Sequence, residues 1–293
     1  VERRKVLKVD DRLGFHPSLL GLKELFDRGE LAVVRGVGYP NPNRSHFEAL
    51  HVWRTGTADG AMTGGWVPRF LNRKRPHGMQ GIHCEKEGLQ GMGFDYLSRT
   101  SFAGRPLNAD TLAGGRKYSS RVDYPETDFA SKLRTAVQVL ASGVDVKVFY
   151  ARAGGFDTHV DQVLQEDHAL GPHAHALATV SSGIKAFCDD LRKLGKAKDV
   201  LVVTFSEFGR RLKENATVGT DHGTANTMFL IGGGVKPGFY GEDPGLEEPQ
   251  LDELGDLVHT VDFRTVYSTV LVRWLGADPV AVLGESWPLL SCL

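Results

Sequence analysis

The second half of the chain alternates short apolar, β-branched runs with longer stretches in which apolar residues recur at helical spacing. The short runs predict strands and the longer stretches predict helices, because side chains share a face every second residue in a strand and about every 3.6 residues in a helix. In chain order we predict a strand over Val144–Tyr150, a helix over Ala174–Leu194, strands over Val200–Phe205 and Met228–Ile231, and a helix over Val261–Leu275. Strands that alternate with helices indicate an α/β sheet.

The first half of the chain adds regular elements and one irregular stretch. The regular elements are a helix over His16–Arg28, a buried strand over Leu31–Val37 and a helix over Asp128–Leu140. From about 55 to 125 the sequence is rich in Gly, Arg and polar residues, which predicts a loop-rich insertion or cap rather than a second core. We therefore expect a single domain over residues 1–293.

The charge and the hydropathy pattern limit the partners. With a formal net charge of −1, the chain has no global field that would recruit nucleic acid or a membrane surface. No apolar run reaches the roughly 18 residues that a membrane span needs. The expected partner is a small anionic substrate, and the oligomeric state stays open.

Two clusters of acidic and imidazole side chains follow predicted strands, and the first is AGGFDTH. Its Asp157 and His159 are two residues apart, so in an extended segment both side chains point the same way. A carboxylate oxygen and an imidazole nitrogen that converge suit Zn²⁺ or a similar divalent ion. The alternative is an Asp-capped turn beside an unrelated His.

The second cluster lies in Asp199–Asn226. Glu207 lies just past the end of the strand predicted over Val200–Phe205. Ligands gather at the carboxyl ends of parallel strands. Further on, two glycines bracket Asp221 and His222, so this loop can approach a ligand closely. Because adjacent side chains diverge, we expect His222 to bind the metal directly. Asp221 would then orient the His222 side chain without binding the metal itself. Acidic and His placements after several strands together predict a metal site.

Ser45 is the hydroxyl with the strongest reason to react. It precedes the helical pattern of SHFEALHVW, where the positive end of the helix dipole would favour an alkoxide and receive an anionic group. Its neighbours Arg44 and His46 add a cation and a proton carrier. The alternative is that Ser45 only caps the helix, since Glu48 three residues on completes a capping box.

Six motifs along nearly the whole chain carry a family resemblance: RSHFEALHVW, TGGW, GGFDTH, TFSEFGRRLKEN, GTDHGTAN and VDFRTVYSTVLVRWLG. In this order they resemble the bacterial family called domain of unknown function 1501, which is placed near the alkaline phosphatase and sulfatase superfamily. The resemblance implies a three-layer α/β/α sandwich of the alkaline phosphatase type, whose first strand and aspartate would lie before Val1. It also implies periplasmic or secreted localisation, since relatives often carry twin-arginine export signals.

The superfamily resemblance further implies a metal-dependent hydrolase of phosphate or sulfate esters. Ser45 matches the nucleophile that heads a helix, and Asp157 with His159 matches an Asp…His pair. Glu207 stands where the superfamily has a strand-end Asp, and His222 matches its late His. The implied cofactor is a divalent metal, Zn or Mn/Ca, with the number of ions open.

This chain departs from the superfamily pattern at Phe208, which stands where a His of the second metal site would follow the acid. One metal held by Asp157, His159 and His222 is therefore favoured over a complete two-metal centre.

In the implied reaction Ser45 attacks phosphorus or sulfur, and Arg44 or Arg210 neutralises charge on the ester oxygens. Two other interpretations stay open. One is a hydrolase that uses bound water without a covalent step, and the other is a non-catalytic binding module that keeps the alkaline phosphatase-like fold.

Overall fold

The computed structural model describes residues 1–57, 64–74, 81–85, 88–91, 118–143, 146–248 and 250–293. The chain forms two compact units. The first unit comprises Val1–Leu25, Leu71–Asp157 and Val163–Asp199, and the second comprises Phe26–Phe70, Thr158–Gln162 and Val200–Leu293. The expectation of one domain with an insertion at about 55–125 stays a prediction, because most of that stretch lies outside the described residues.

The described elements combine a mixed multi-strand sheet with seven α-helices, which agrees with the α/β class. The strands are β1 Leu7–Lys8, β2 Gly14–Phe15, β3 Leu31–Gly38, β4 Gly81–Glu85, β5 Gly88–Gly91, β6 Val148–Ala151, β7 Leu201–Val203, β8 Arg210–Glu214, β9 Thr220–His222, β10 Asn226–Gly232, β11 Gly238–Tyr240 and β12 Val261–Asp262. The α-helices are α1 Leu20–Asp27, α2 His46–Thr55, α3 Trp66–Lys74, α4 Asp128–Ser142, α5 Pro172–Lys193, α6 Phe263–Thr269 and α7 Pro279–Leu283.

The second unit is built on a mixed sheet with strand order β11–β3–β10–β7, in which β12 also pairs with β3. Strand β10 runs antiparallel to both β3 and β7, whereas β11 and β12 run parallel to β3. Every residue of β3 except Arg35 is buried, as expected for a central strand. Glu207 follows β7, whose neighbour β10 runs antiparallel to it. The expected position at the end of a strand in a parallel sheet is therefore wrong.

Aromatic side chains fill the core of the second unit beside α2 and α6. The rings of Trp53 and Phe263 stack with centroids 4.5 Å apart, and the Tyr267 hydroxyl donates to the Trp53 carbonyl over 3.2 Å. Helix α6 starts later than the pattern predicted, because Val261 and Asp262 pair with β3 as β12. After Thr269 the helix continues as a π-turn over Val270–Trp274.

The first unit contains the sheet β5–β4–β6 and the long helices α4 and α5. The helices match their predictions to within a few residues, because their apolar stripes are long and regular. They approach closely at Gly183, where an added Cβ would lie 3.0 Å from the Phe129 ring. The predicted strand over Val144–Tyr150 starts only at Val148 within the described residues, and 144 and 145 lie outside them.

Candidate functional site

Five side chains that the sequence singled out form one cluster in the second unit: His46, His159, Glu207, Asp221 and His222. His46 Nδ1 lies 2.8 Å from Glu207 Oε1, and His159 Nδ1 lies 3.0 Å from Asp221 Oδ1. His159 Nε2 lies 2.9 Å from His222 Nε2, and the ring centroids of His46 and His222 are 4.4 Å apart. Side chains from three separate segments of the second unit therefore share one site.

Helix α2 begins at His46, and Ser45 directly precedes it. Ser45 is the N-cap residue of the 10-residue helix, but its side chain makes no capping hydrogen bond. The expected capping box is therefore wrong. Instead the Asn43 side chain turns the chain, since its Oδ1 accepts from the Ser45 amide over 2.7 Å. Ser45 is exposed, and its hydroxyl does not serve as the cap.

A hairpin of β8 and β9 carries His222 and fixes the segment of His159. His222 is paired with Arg210 across the hairpin. Asn215 Nδ2 and Thr217 Oγ1 donate to the His159 carbonyl over 2.9 and 2.6 Å. At Gly219, one of the two bracketing glycines, an added Cβ would lie 2.2 Å from that same carbonyl oxygen. The close approach predicted for this loop is thus an approach to the chain's own backbone.

Hydrogen bonds assign the tautomers of two imidazoles. His222 Nδ1 lies 2.7 Å from the Arg44 carbonyl oxygen, which only accepts, so Nδ1 carries the proton. His46 Nδ1 likewise donates to the Glu207 carboxylate. In the neutral form of such a ring, Nε2 carries the lone pair. This is the tautomer in which a histidine binds a metal through Nε2 while its partner orients the ring.

Both nitrogens of His159 have partners. Its Nδ1 lies beside the Asp221 carboxylate, and its Nε2 lies 2.9 Å from His222 Nε2, so only one of these two Nε2 atoms donates in that contact. The pKa of Asp221 is lowered, first by the hydrogen bond from Asn215 and then by that from His159. Asp221 therefore orients His159 rather than His222.

Phe208 packs against both candidate ligands. Its ring stacks on His222 with centroids 4.4 Å apart and lies 4.9 Å from the centroid of His46. Phe208 is buried. A phenyl ring at this place adds no donor atom, but it restricts how both imidazoles rotate.

The guanidinium groups of Arg44 and Arg210 are engaged within the fold. Arg44 Nη2 donates to Asp252 and Asp256 over 2.8 and 2.6 Å. Arg210 donates to the carbonyl and the hydroxyl of Thr220. To neutralise a substrate, as predicted, either group would have to leave these partners, and the role stays a prediction.

The family model described as protein of unknown function (DUF1501) matches residues 107–277, more than half of the chain. The chain belongs to the DUF1501 family. The matched range includes His159, Glu207, Phe208, Asp221 and His222, whereas Ser45 and His46 precede it. A comparison with curated proteins gives no match. Across the described parts of this DUF1501 protein, no helix combines the length and apolarity of a membrane span.

The donor set of this DUF1501 protein fits a divalent metal. A ring nitrogen of His46 and one of His222 lie within 4.8 Å of each other. Two imidazole nitrogens suit Zn²⁺, which also accepts carboxylate oxygens. Glu207 is hydrogen-bonded to His46, the position of a group that orients a ligating His. Asp157 belongs to the first unit and directly precedes Thr158 of the second. Its role as a ligand stays a prediction, as do those of Glu207, His159 and Asp221.

Two features of the site were missed by sequence reasoning. The Arg44 carbonyl could not be found, because backbone groups leave no signal in the sequence. Nothing in the sequence marks Asp256, whose partner Arg44 is 212 residues away.

Proposed function

We propose that this protein is a metal-dependent hydrolase of phosphate or sulfate esters, with an alkaline phosphatase-like three-layer fold. The observation that carries the proposal is the pair His46 and His222. Glu207 and the Arg44 carbonyl accept from Nδ1 of these two rings, which leaves Nε2 as the nitrogen that would bind a metal. Ser45 directly precedes His46, and its exposed hydroxyl makes no capping hydrogen bond. Ligands and nucleophile are thus neighbours in the chain.

The metal would be Zn²⁺, or Mn²⁺ or Ca²⁺, held by His46 and His222. Asp157, directly before Thr158 in the chain, is the predicted carboxylate ligand. Phe208 supports a site with one ion rather than two, because it contributes packing where the superfamily has a further imidazole. A bound divalent ion supplies a positive charge that stabilises the negative charge developing on the ester oxygens.

Ser45 would be the nucleophile. Its Oγ loses its proton to water and forms a bond to phosphorus or sulfur while the bond to the leaving oxygen breaks, and the leaving alkoxide takes up a proton from water. The first-turn amides of α2 receive the anionic ester oxygens. Water then hydrolyses the Ser45 ester, which restores the hydroxyl and releases phosphate or sulfate. The substrate is a small anionic ester, and a periplasmic or secreted location goes with the family resemblance.

The second candidate is a binding module without turnover. It is favoured by Arg44, whose guanidinium is already paired with Asp252 and Asp256. Phe208 also agrees with a site that has lost a donor.

The test combines elemental analysis with turnover of an aryl phosphate and an aryl sulfate by the full chain supplied with Zn²⁺, Mn²⁺ or Ca²⁺. We expect bound metal, turnover that a chelator abolishes, and loss of turnover in Ser45→Ala with metal content unchanged. Ser142→Ala, at the end of α4, is the matched control and keeps full activity. Metal binding without turnover would favour the module, and full activity of Ser45→Ala would favour hydrolysis by water. A chain that holds no metal would contradict the proposal.

A further inference from the structure

Asp256 is a carboxylate of the second unit with 0% of its surface exposed. Its Oδ2 accepts from Arg44 Nε and Nη2 over 3.1 and 2.6 Å, and its Oδ1 accepts from Arg211 Nε over 2.9 Å. A buried carboxylate is strongly unfavourable unless it is paired, so this double pairing explains how Asp256 is tolerated. It also ties one residue to two separate parts of the chain.

Both parts of the chain that Asp256 holds lie beside His222. Arg44 contributes the carbonyl oxygen that accepts the His222 Nδ1 proton over 2.7 Å. Arg211 follows Arg210, which is paired with His222 between β8 and β9. Asp256 therefore holds the backbone on two sides of one imidazole.

The loop that carries Asp256 is closed on itself by Asp252. Asp252 Oδ1 accepts from the amides of Leu254 and Asp256 over 2.9 Å each, and its Oδ2 accepts from Arg44 Nη2. The Gly255 amide donates to the Asp252 carbonyl over 2.9 Å. Asp256 thus projects from a turn with its own internal hydrogen bonds, so its position does not depend on Arg44 alone.

We propose that Asp256 is the positioning residue for His222. By holding Arg44, it places the carbonyl that keeps the proton on Nδ1, so that the neutral ring has its lone pair on Nε2, the atom that faces His159. A carbonyl that drifts away no longer selects this tautomer, and the neutral ring then populates both. The consequence for metal affinity rests on the proposed function, whereas the tautomer itself does not.

The tautomer can be read by NMR on the metal-free full chain labelled with ¹⁵N-histidine, at about pH 8, above the ordinary titration of imidazole. His222→Gln identifies the His222 signals by their loss. We expect the Nδ1–H tautomer in the wild type and a mixture in Asp256→Asn, with Zn²⁺ affinity about 10–100-fold lower. Asp243→Asn is the control, because Asp243 pairs with Arg35 and not with Arg44. It leaves tautomer and affinity unchanged.

The comparison is repeated in a His159→Gln background, which removes the other ring that faces His222 Nε2. Retention of the pure Nδ1–H tautomer by Asp256→Asn in that background overturns the proposal. If Asp256→Asn does not fold, Arg44→Lys decides, because Lys keeps the charge but loses the forked pairing. An unchanged tautomer there overturns the proposal as well. Failure of the wild type to bind Zn²⁺ counts against the proposed function only.

Discussion

His222 donates its Nδ1 proton to the carbonyl oxygen of Arg44 over 2.7 Å, across 178 residues of sequence. The contact links strand β9 to the loop before α2 and leaves the opposite ring nitrogen with a lone pair. The same arrangement holds for His46, whose Nδ1 proton goes to Glu207. Two rings from distant parts of the chain thus share the tautomer that binds metals through Nε2, and this shared state links fold to proposed chemistry.

Glu207→Ala should weaken Zn²⁺ binding by about 10–100-fold, because His46 loses the acceptor that orients its ring. Glu207 is partly exposed, with 24% of its side chain accessible, so the fold should tolerate the change. Isothermal titration with Zn²⁺ measures the effect, and Glu214→Ala on the exposed part of β8 is the control. Unchanged affinity would show that Glu207 has no part in the site. Complete loss of binding would instead make it a direct ligand.

Phe208→Ala should lower the free energy of unfolding by about 3–5 kcal/mol, since it removes a buried ring that packs against both His46 and His222. Urea denaturation followed by circular dichroism measures the change. Phe47→Ala is the matched control, because Phe47 is 68% exposed and its removal should cost no more than about 0.5 kcal/mol. Equal losses in the two variants would contradict the packing role of Phe208.

Local patterns predicted most of the helices and strands, and long-range pairing explains where they failed. The apolar stripe of α5 predicted both ends of that helix to within about two residues, because one face is apolar over its whole length. The apolar pattern that begins at Val261 could not show where β12 ends and α6 begins, because that boundary depends on pairing with β3. The antiparallel pairing of β7 with β10 likewise depends on how the sheet assembles, and the sequence of β7 alone does not indicate it.

The candidate site was predictable by residue type and less so by role. Asp221 and His222 were expected to work as a pair, yet Asp221 holds His159. Ser45 was a capping candidate, yet Asn43 makes the turn. In each case several local hydrogen bonds compete for similar energy, so the choice between them depends on contacts distant in sequence.

Gly219→Ala should destabilise the second unit by about 1–3 kcal/mol, because the new Cβ would lie 2.2 Å from the His159 carbonyl oxygen. The backbone has to move, so the contact between His159 and His222 should also loosen. Thermal denaturation and the ring NMR signals of His159 measure the two effects. Gly154→Ala is the control, since nothing lies within 4 Å of its added Cβ. A Gly219→Ala variant as stable as Gly154→Ala would refute the close approach.

Stability at high pH should depend on Tyr118 in the first unit. Its hydroxyl donates to Asp190 Oδ1 over 2.6 Å, and Tyr124 donates to Oδ2 over 3.0 Å. Desolvation, followed by the hydrogen bond and the charge of Asp190, raises the pKa of Tyr118 to about 12, and the pKa of Tyr124 is raised further. An unfolded tyrosine ionises near pH 10, so the unfolded state loses its protons first. The contribution of Tyr118 is therefore complete below about pH 10 and is lost as the pH rises towards about 12.

Urea denaturation at a series of pH values measures this loss. Tyr118→Phe should be less stable than the wild type near neutral pH, because Asp190 is left with one phenol donor. Its stability should also fall less steeply above about pH 10, since one of the two raised pKa values is gone. Tyr150→Phe in β6 leaves the Asp190 pair intact and should keep the wild-type slope. If Tyr118→Phe shows the same slope as the wild type, the ionisation of Tyr118 does not control alkaline unfolding.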